Sequence, residues 1–554
     1  MKKLLILSMF LGVTALSSRA AAASPLTSSL PAGALATFET SHMGAAIDRA
    51  SGLLTKLLPL LGAGNQPGDA SDMLSLIKPA LKGSLGNEGV LGVFAVSGNG
   101  GTFAPGVLAV SRLNADARAL LKSSMPTGKG KATVGRYSFV RSDDLFVGMT
   151  QDLAYASTDK ALLMSYLGRL SGKSAPTLAR ATSYSAPMNA VGQQELRAYL
   201  NFSGIAKVVR SQFATFGFPR LLAPLVDAVD TLGQLGAGIS TNAAGLSGVS
   251  ALVANGNGAD KSLYSILTHS TDSFNVQKIV PADAEAVSVS ACDPLKGEYA
   301  ARWLSRIDLL DPTGFLSDTQ LAHNLEVQSR YVGDECAQVT LKGGLKASMG
   351  SSNTLASLNY SVTYQKLTDE EAARAHMQGF AASVNKSLQA ALKATKSQLT
   401  RLAGSDPQMK AQLQALTGSL NLDLFAKINY VYAIRDGYLL TALSQKALDS
   451  AMNATSSIAD APDFQAQNFA ASGGGFQFAR PTATPFSKAD IQKLIQAQLA
   501  QSNLGALYDK QTQQMIQPIA GVLADLINRY GGSSGQTSVS GNLIVTKANI
   551  NYKW

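Results

Sequence analysis

Histidine, cysteine, tryptophan and charge are all scarce in this chain. Its 554 residues include four histidines, two cysteines and two tryptophans, and only 15% are Asp, Glu, Lys or Arg. The histidines, His42, His269, His323 and His376, show no His-x-His or His-x-x-x-His spacing. Two cysteines without a neighbouring histidine pair supply too few ligands for zinc, so no metal or cofactor residue is assigned. The formal charge is +10, yet lysine and arginine form no block and no aromatics are interleaved with them. The clustered basic face that nucleic acid requires is missing. Beyond Ala23, no apolar run reaches the ~18 residues of a membrane-spanning helix.

What is present begins with Met1-Lys-Lys-Leu-Leu-Ile-Leu and an apolar run, followed by Ser17-Ser-Arg-Ala-Ala-Ala-Ala-Ser-Pro25. A charged start, a short apolar core and a small-residue exit have the pattern of a secretory signal, here residues 1–23. No cysteine follows the apolar run, which argues against a lipid anchor. Loss of Lys2, Lys3 and Arg19 with the leader would leave +7. The expectation is an exported protein, periplasmic or at the cell surface, with no transmembrane helix once the signal is removed. In an oxidising compartment the cysteines, Cys292 and Cys336, are expected to form a disulfide. Cys292 ends a strand-like run. Cys336 follows a Gly-Asp turn into another, and neighbouring antiparallel strands bring Cα atoms within bridging range.

The chain reads as if it starts twice. Leu30-Pro-Ala-Gly-Ala and Val280-Pro-Ala-Asp-Ala each lead into an alternating strand pattern. A hairpin around Gly98-Asn-Gly-Gly101 then leads to a helix capped by Asn114. Its counterpart is the strand Tyr360–Tyr364 and a helix capped by Thr368, with Glu371 at the capping-box position. Asp143–Met164 and Tyr430–Asp449 both read strand, tight turn, strand, capped helix, with Asp436-Gly437 a strong hairpin signal. Gly245–Asn255 and Gln536–Asn549 close the halves, after helices at Leu221–Leu235 and Gln511–Tyr530. The separation grows from Pro31/Pro281 through Asn114/Thr368 and Lys160/Lys446 to Gly248/Gly541. The expected fold is α+β, a tandem duplication in which each half is an antiparallel sheet with helices packed on one face. The halves are residues 24–275 and 276–554. Amphipathic helices are expected at 44–58 and 71–78, and an enlarged helical hairpin at about 370–422.

The Pro-Ala restart, the strand and capped-helix block at Leu153–Leu163 and Leu439–Leu448, and the closing strand after Gly245 carry a resemblance. Together they resemble a family of exported bacterial envelope proteins catalogued only as a domain of unknown function. The resemblance implies an envelope location and brings no catalytic residues.

The motifs that could carry chemistry are weak. Ser-x-x-Lys, which sets an amine beside a hydroxyl on one helical turn, occurs at Ser75–Lys78, Ser157–Lys160 and Ser383–Lys386, without the companion Lys-Thr-Gly strand. Gly98–Gly101 and Gly128-Lys-Gly-Lys-Ala-Thr133 lack the strand-to-helix context of a phosphate loop. Gly531-Gly-Ser-Ser-Gly535 lies between helix and strand in the wrong order for a nucleophile elbow and reads as a flexible connector. Lys386, Lys393, Lys396, Arg401 and Lys410 flank an apolar helical stripe. Such a face suits anionic lipid or polymer, but it lacks tryptophan and better fits a solvated helix packed on its own domain. The expected function is therefore a non-catalytic, exported envelope protein that binds an apolar or envelope ligand or serves a structural role. The competing class is an envelope-acting hydrolase with a site assembled only in three dimensions.

Overall fold

The structure, a computed structural model, describes residues 26–41, 88–97, 103–124, 129–216, 222–307, 320–350, 354–403, 428–501 and 510–554. The leader at 1–23, the helices expected at 44–58 and 71–78, His42 and the Gly98–Gly101 turn lie outside the described residues. The chain divides into two units, Met1–Thr268 with Ser540–Asn549 and Trp554, and His269–Val539 with Ile550–Lys553.

The first unit is built on β1 (Ala34–Ser41), β2 (Glu88–Ser97), β3 (Phe103–Arg112), β4 (Lys129–Val134), β5 (Tyr137–Ser142), β6 (Leu145–Met149), β7 (Leu153–Ser157), β8 (Leu196–Asn201), β9 (Gln234–Asn242) and β10 (Gly245–Val253). Every pairing is antiparallel, in the order β4-β5-β6-β7-β3-β2-β1-β8-β9-β10. Its helices are α1 (Ala115–Ser124), α2 (Lys160–Leu170), α3 (Thr182–Val191), α4 (Phe202–Phe216), α5 (Ala223–Leu232) and α6 (Lys261–Thr268).

The second unit holds β11 (Ala286–Ala291), β12 (Val332–Thr340), β13 (Ser361–Leu367), β14 (Val431–Arg435), β15 (Tyr438–Ala442), β16 (Gly475–Ala479) and β17 (Tyr530–Ser540). These are again antiparallel, in the order β14-β15-β13-β12-β11-β16-β17. Its helices are α7 (Leu295–Ile307), α8 (Leu321–Ser329), α9 (Gly344–Gly350), α10 (Glu370–Ala403), α11 (Gln445–Met452), α12 (Pro462–Gln465), α13 (Lys488–Gln501) and α14 (Lys510–Asn528). A last strand, β18, covers Leu543–Tyr552.

Strand order and register agree between the units. Phe38 pairs with Leu91 and Leu91 with Ala109, as Ser288 pairs with Gln338 and Gln338 with Thr363. The first unit adds the β4–β5 hairpin at its edge. Local devices agree too. Pro31 bridges to Thr177 and Pro281 to Ser457, and the Leu178 and Ile458 N–H groups donate to the Leu30 and Val280 carbonyls. A carboxylate on the second strand of each sheet reaches the short helical turn before the first strand. Glu88 accepts from the Leu26 N–H at 2.5 Å, and Glu335 from the Val276 N–H at 2.8 Å. Those turn N–H groups have no partner within the turn itself, so a charged acceptor satisfies them.

Several sequence expectations need correction. Helices lie on both faces of each sheet, not one. The adjacent Leu439 and Leu440 are both buried, in different core clusters, and β7 is buried along its whole length. A continuous apolar run is the mark of a strand covered on both sides. The α10 helix is capped by Asp369, whose carboxylate accepts the Ala372 N–H at 2.9 Å, rather than by Thr368 and Glu371. Asp159 and Ser444 hold the N-caps of α2 and α11. Lys160 therefore corresponds to Gln445, one residue from the Lys446 expected. Gly248 is mid-strand whereas Gly541 sits in a turn at φ 59°, so those two glycines are not equivalent. The α5 helix stops at Leu232, and Gln234 already begins a strand. Of the expected hairpin at 370–422, the first arm is α10, and residues 404–427 lie outside the described residues.

Candidate functional site

Strand alternation in the second unit sends Val287, Val289, Val339, Val362 and Tyr364 into one buried cluster. The residues between them, Ser288, Ser290, Gln338, Thr363 and Gln365, face the other way and form the floor of a cavity of about 500 Å³. Its roof comes from the chain between β11 and β12. The sequence suggested an irregular segment there; the structure contains α7 and α8. The start of α7 has a legible signal that was missed: Asp293 caps it, accepting the Leu295 N–H at 2.9 Å, and Pro294 stands at the entry, where its missing N–H costs nothing. The two helices cross closely at Gly297, where a Cβ would lie 2.6 Å from the Leu325 carbonyl oxygen. A side chain there would push the roof apart.

Two contacts hold α8, and a third orients the histidine that makes one of them. Gln328 Nε2 donates to Gln365 Oε1 of the floor at 2.8 Å. His376 on α10 donates from Nε2 to Asn324 Oδ1 at 2.7 Å, and its Nδ1 accepts from the Tyr331 hydroxyl at 2.8 Å. Burial, then the nearby His323, holds the His376 pKa below the usual histidine range. Cys292 and Cys336 are bridged at one end of the cavity, with Cα atoms 5.7 Å apart, inside the disulfide range. The bridge runs diagonally: Cys336 pairs with Ser290, and the Cys292 N–H donates to the Asp334 carbonyl. Gln338 and Thr363 mark the exposed end. Volume and position, between sheet and helices, suit a small-molecule site.

Two carboxylates near the cavity, Asp334 and Glu335, are already paired. Burial alone would raise the Asp334 pKa, but hydrogen bonds from Thr271 and Lys366 hold it below the usual carboxylate range. Asp334 accepts from the Thr271 hydroxyl at 2.6 Å and lies 3.1 Å from Lys366 Nζ. Glu335 accepts two backbone N–H groups and the Tyr438 hydroxyl, and is fully buried. A second cavity of about 600 Å³ lies beside Pro281–Asp283, Tyr360 and Asn453–Ser456 of the same unit.

The candidate catalytic motifs do not assemble. Ser157 is buried and its hydroxyl donates to the Val107 carbonyl while accepting the Asp159 N–H. Lys160, on the next helix, is exposed, so the hydroxyl serves the helix entry. Ser383 and Lys386 lie on α10, and Ser75 and Lys78 fall outside the described residues. Gly531–Gly535 is part of strand β17, with Ser533 paired to Ala479, and so is neither an elbow nor a flexible connector. Lys129–Thr133 likewise forms strand β4. Lys386, Lys393 and Arg401 are exposed along α10, and Lys410 is outside the described residues. Among the described residues, no group of three or more His, Cys, Asp or Glu could hold a metal, and no helix is long and apolar enough to cross a membrane.

No protein-family model matches the chain, and no curated protein matches it. Among solved structures, crystal form IV of TP0453 is similar over 42% of this chain and 81% of its own, at 13% identity and a TM-score of 0.25. Crystal form III of TP0453 is similar over 45% and 87%, at the same identity and TM-score of 0.25.

Proposed function

We propose that the chain is an exported, non-catalytic protein of the bacterial cell envelope, built by tandem duplication, which acts by binding a ligand in the cavity beneath α7 and α8. The observation that carries the binding role is the cavity itself. Its walls offer hydroxyl and amide groups, with Asp293 and Lys296 as the charged lining side chains. The common strand order, register and carboxylate-capped turns support the duplication. The leader-like N-terminus and the Cys292–Cys336 pair support export, and the Pro-Ala and capped-helix blocks support membership of the envelope family they resemble.

The test is expression of the full chain in a bacterium, followed by fractionation, N-terminal sequencing and native mass spectrometry of the released protein. Cleavage near Ala23 and a non-covalent adduct, lost when Ser288→Trp fills the cavity floor, are expected. Intact Met1 on a cytoplasmic protein would refute export. An adduct unchanged by Ser288→Trp would refute the site.

A further inference from the structure

Taking that cavity as a binding site, we infer that its ligand class is a small, neutral, hydroxyl-rich molecule of saccharide type. The evidence is a row of three side chains. Ser288, Gln338 and Thr363 are direct register partners on β11, β12 and β13, roughly 4.8 Å apart from strand to strand. The same row in the first unit is Phe38, Leu91 and Ala109, again direct register partners on three adjacent strands. This sheet position therefore accommodates an apolar row in the same topology, and the polar one is not demanded by the fold.

The hydroxyls and amide of the row are also uncommitted. Ser288, Gln338 and Thr363 make no side-chain hydrogen bond among the described residues, and with Gln338 and Thr363 exposed it is water that meets them, whereas Gln365 in the next row is held by Gln328. Each free group offers both a donor and an acceptor, as an unionised polyol does. An apolar ligand lying on this floor would strip water from three such groups and return nothing, at a cost on the order of tenfold in affinity for each. An anion finds little here either. The charged lining residues are one of each sign, Asp293 and Lys296; Asp293 is spent capping α7, and Lys296 is exposed. The first unit's Phe38 row would make the opposite selection, so the two units have diverged in what they can face.

Isothermal titration of the processed, disulfide-bonded full chain with chitotriose, maltotriose, citrate and decanol separates the possibilities. Binding of either trisaccharide is expected, weakened about three- to tenfold by each of Gln338→Leu and Thr363→Val, and abolished by Ser288→Trp. Circular dichroism and a Ser288→Ala control show that the variants fold. Decanol or citrate binding that Ser288→Trp blocks, with no trisaccharide binding, overturns the ligand class and leaves the cavity as the site. Trisaccharide binding indifferent to all three substitutions overturns the assignment to this floor. If none of the four binds and the native adduct also survives Ser288→Trp, both the ligand class and the site fall.

Discussion

The sharpest test of the agreement between the two units is a core exchange in the first unit. Glu39 is buried on β1 and accepts from Thr37 Oγ1 at 2.9 Å, the Tyr184 hydroxyl at 2.5 Å and Arg197 Nη2 at 2.6 Å. The Glu39 and Arg197 side chains are only 4% and 18% exposed. Glu39 pairs with Arg197 across β1–β8 as Val289 pairs with Phe476 across β11–β16. Tyr184 enters α3 as Phe464 enters α12, and each packs edge-on against the next inward aromatic, Tyr199 or Phe478. The second unit thus builds the same place from Val289, Phe464 and Phe476. Glu39→Val alone strands a half-buried guanidinium and a buried hydroxyl, at about 3–5 kcal/mol. For a domain of this size, at ~2–4 °C per kcal/mol, the midpoint should fall by about 6–20 °C. The triple exchange Glu39→Val, Tyr184→Phe, Arg197→Phe removes the whole network and should return to within ~1 kcal/mol of the parent or exceed it. The assay follows from there being two tryptophans. With Trp303→Phe in every variant, fluorescence reports Trp554, whose Nε1 donates to the Asn242 carbonyl within the first unit at 2.9 Å. A triple variant as unstable as the sum of its singles would refute the reasoning.

Other outcomes follow from single sites in the second unit. The Cys292–Cys336 loop spans 44 residues, so Cys292→Ser with Cys336→Ser should lower stability by up to about 4 kcal/mol, read by urea midpoint. Unreduced peptide mapping of the parent should show the pair linked, and free thiols on exported protein would defeat this. Because burial lowers the folded His376 pKa, its contribution is complete above about pH 6.5 and disappears as pH falls through the folded value, where the unfolded chain already holds the proton. His376→Gln should flatten that acid loss as pH falls below the ordinary histidine value, and an unchanged slope would show that another group titrates.

The parts of this fold legible in the sequence are those set by local chemistry. Asn114 caps α1 as expected, its Oδ1 accepting the Ala117 N–H at 2.8 Å. Asp436-Gly437 makes the turn expected, with φ of 50° and 78°, the two left-handed values a two-residue hairpin of this type requires. What failed depended on partners distant in sequence. The short strands Leu196–Asn201 and Gly475–Ala479 have no turn pair of their own and exist because β1 and β11 pair with them. Leu367-Thr-Asp-Glu-Glu offered two adjacent caps, and only geometry chose Asp369. The cavity was least legible, because Ser288 and Gln338 are unremarkable in a serine-rich chain until register sets them side by side.

The two faces of the sheets differ between the units in opposite senses. On the inward face, the first unit holds an ion pair where the second holds valine and phenylalanine. On the outward face, the first has Phe38, Leu91 and Ala109 where the second has Ser288, Gln338 and Thr363. Gln338 and Thr363 are exposed, so water meets their polar groups and stability permits a polar row at this position. An interior charge pair, by contrast, is one that hydrophobic residues of similar volume can replace without loss of stability. The polar outward row is where the proposed ligand would bind, and the Glu39–Arg197 pair is what the core exchange replaces. The core exchange and the saccharide titration probe these two faces separately, and either can fail without the other.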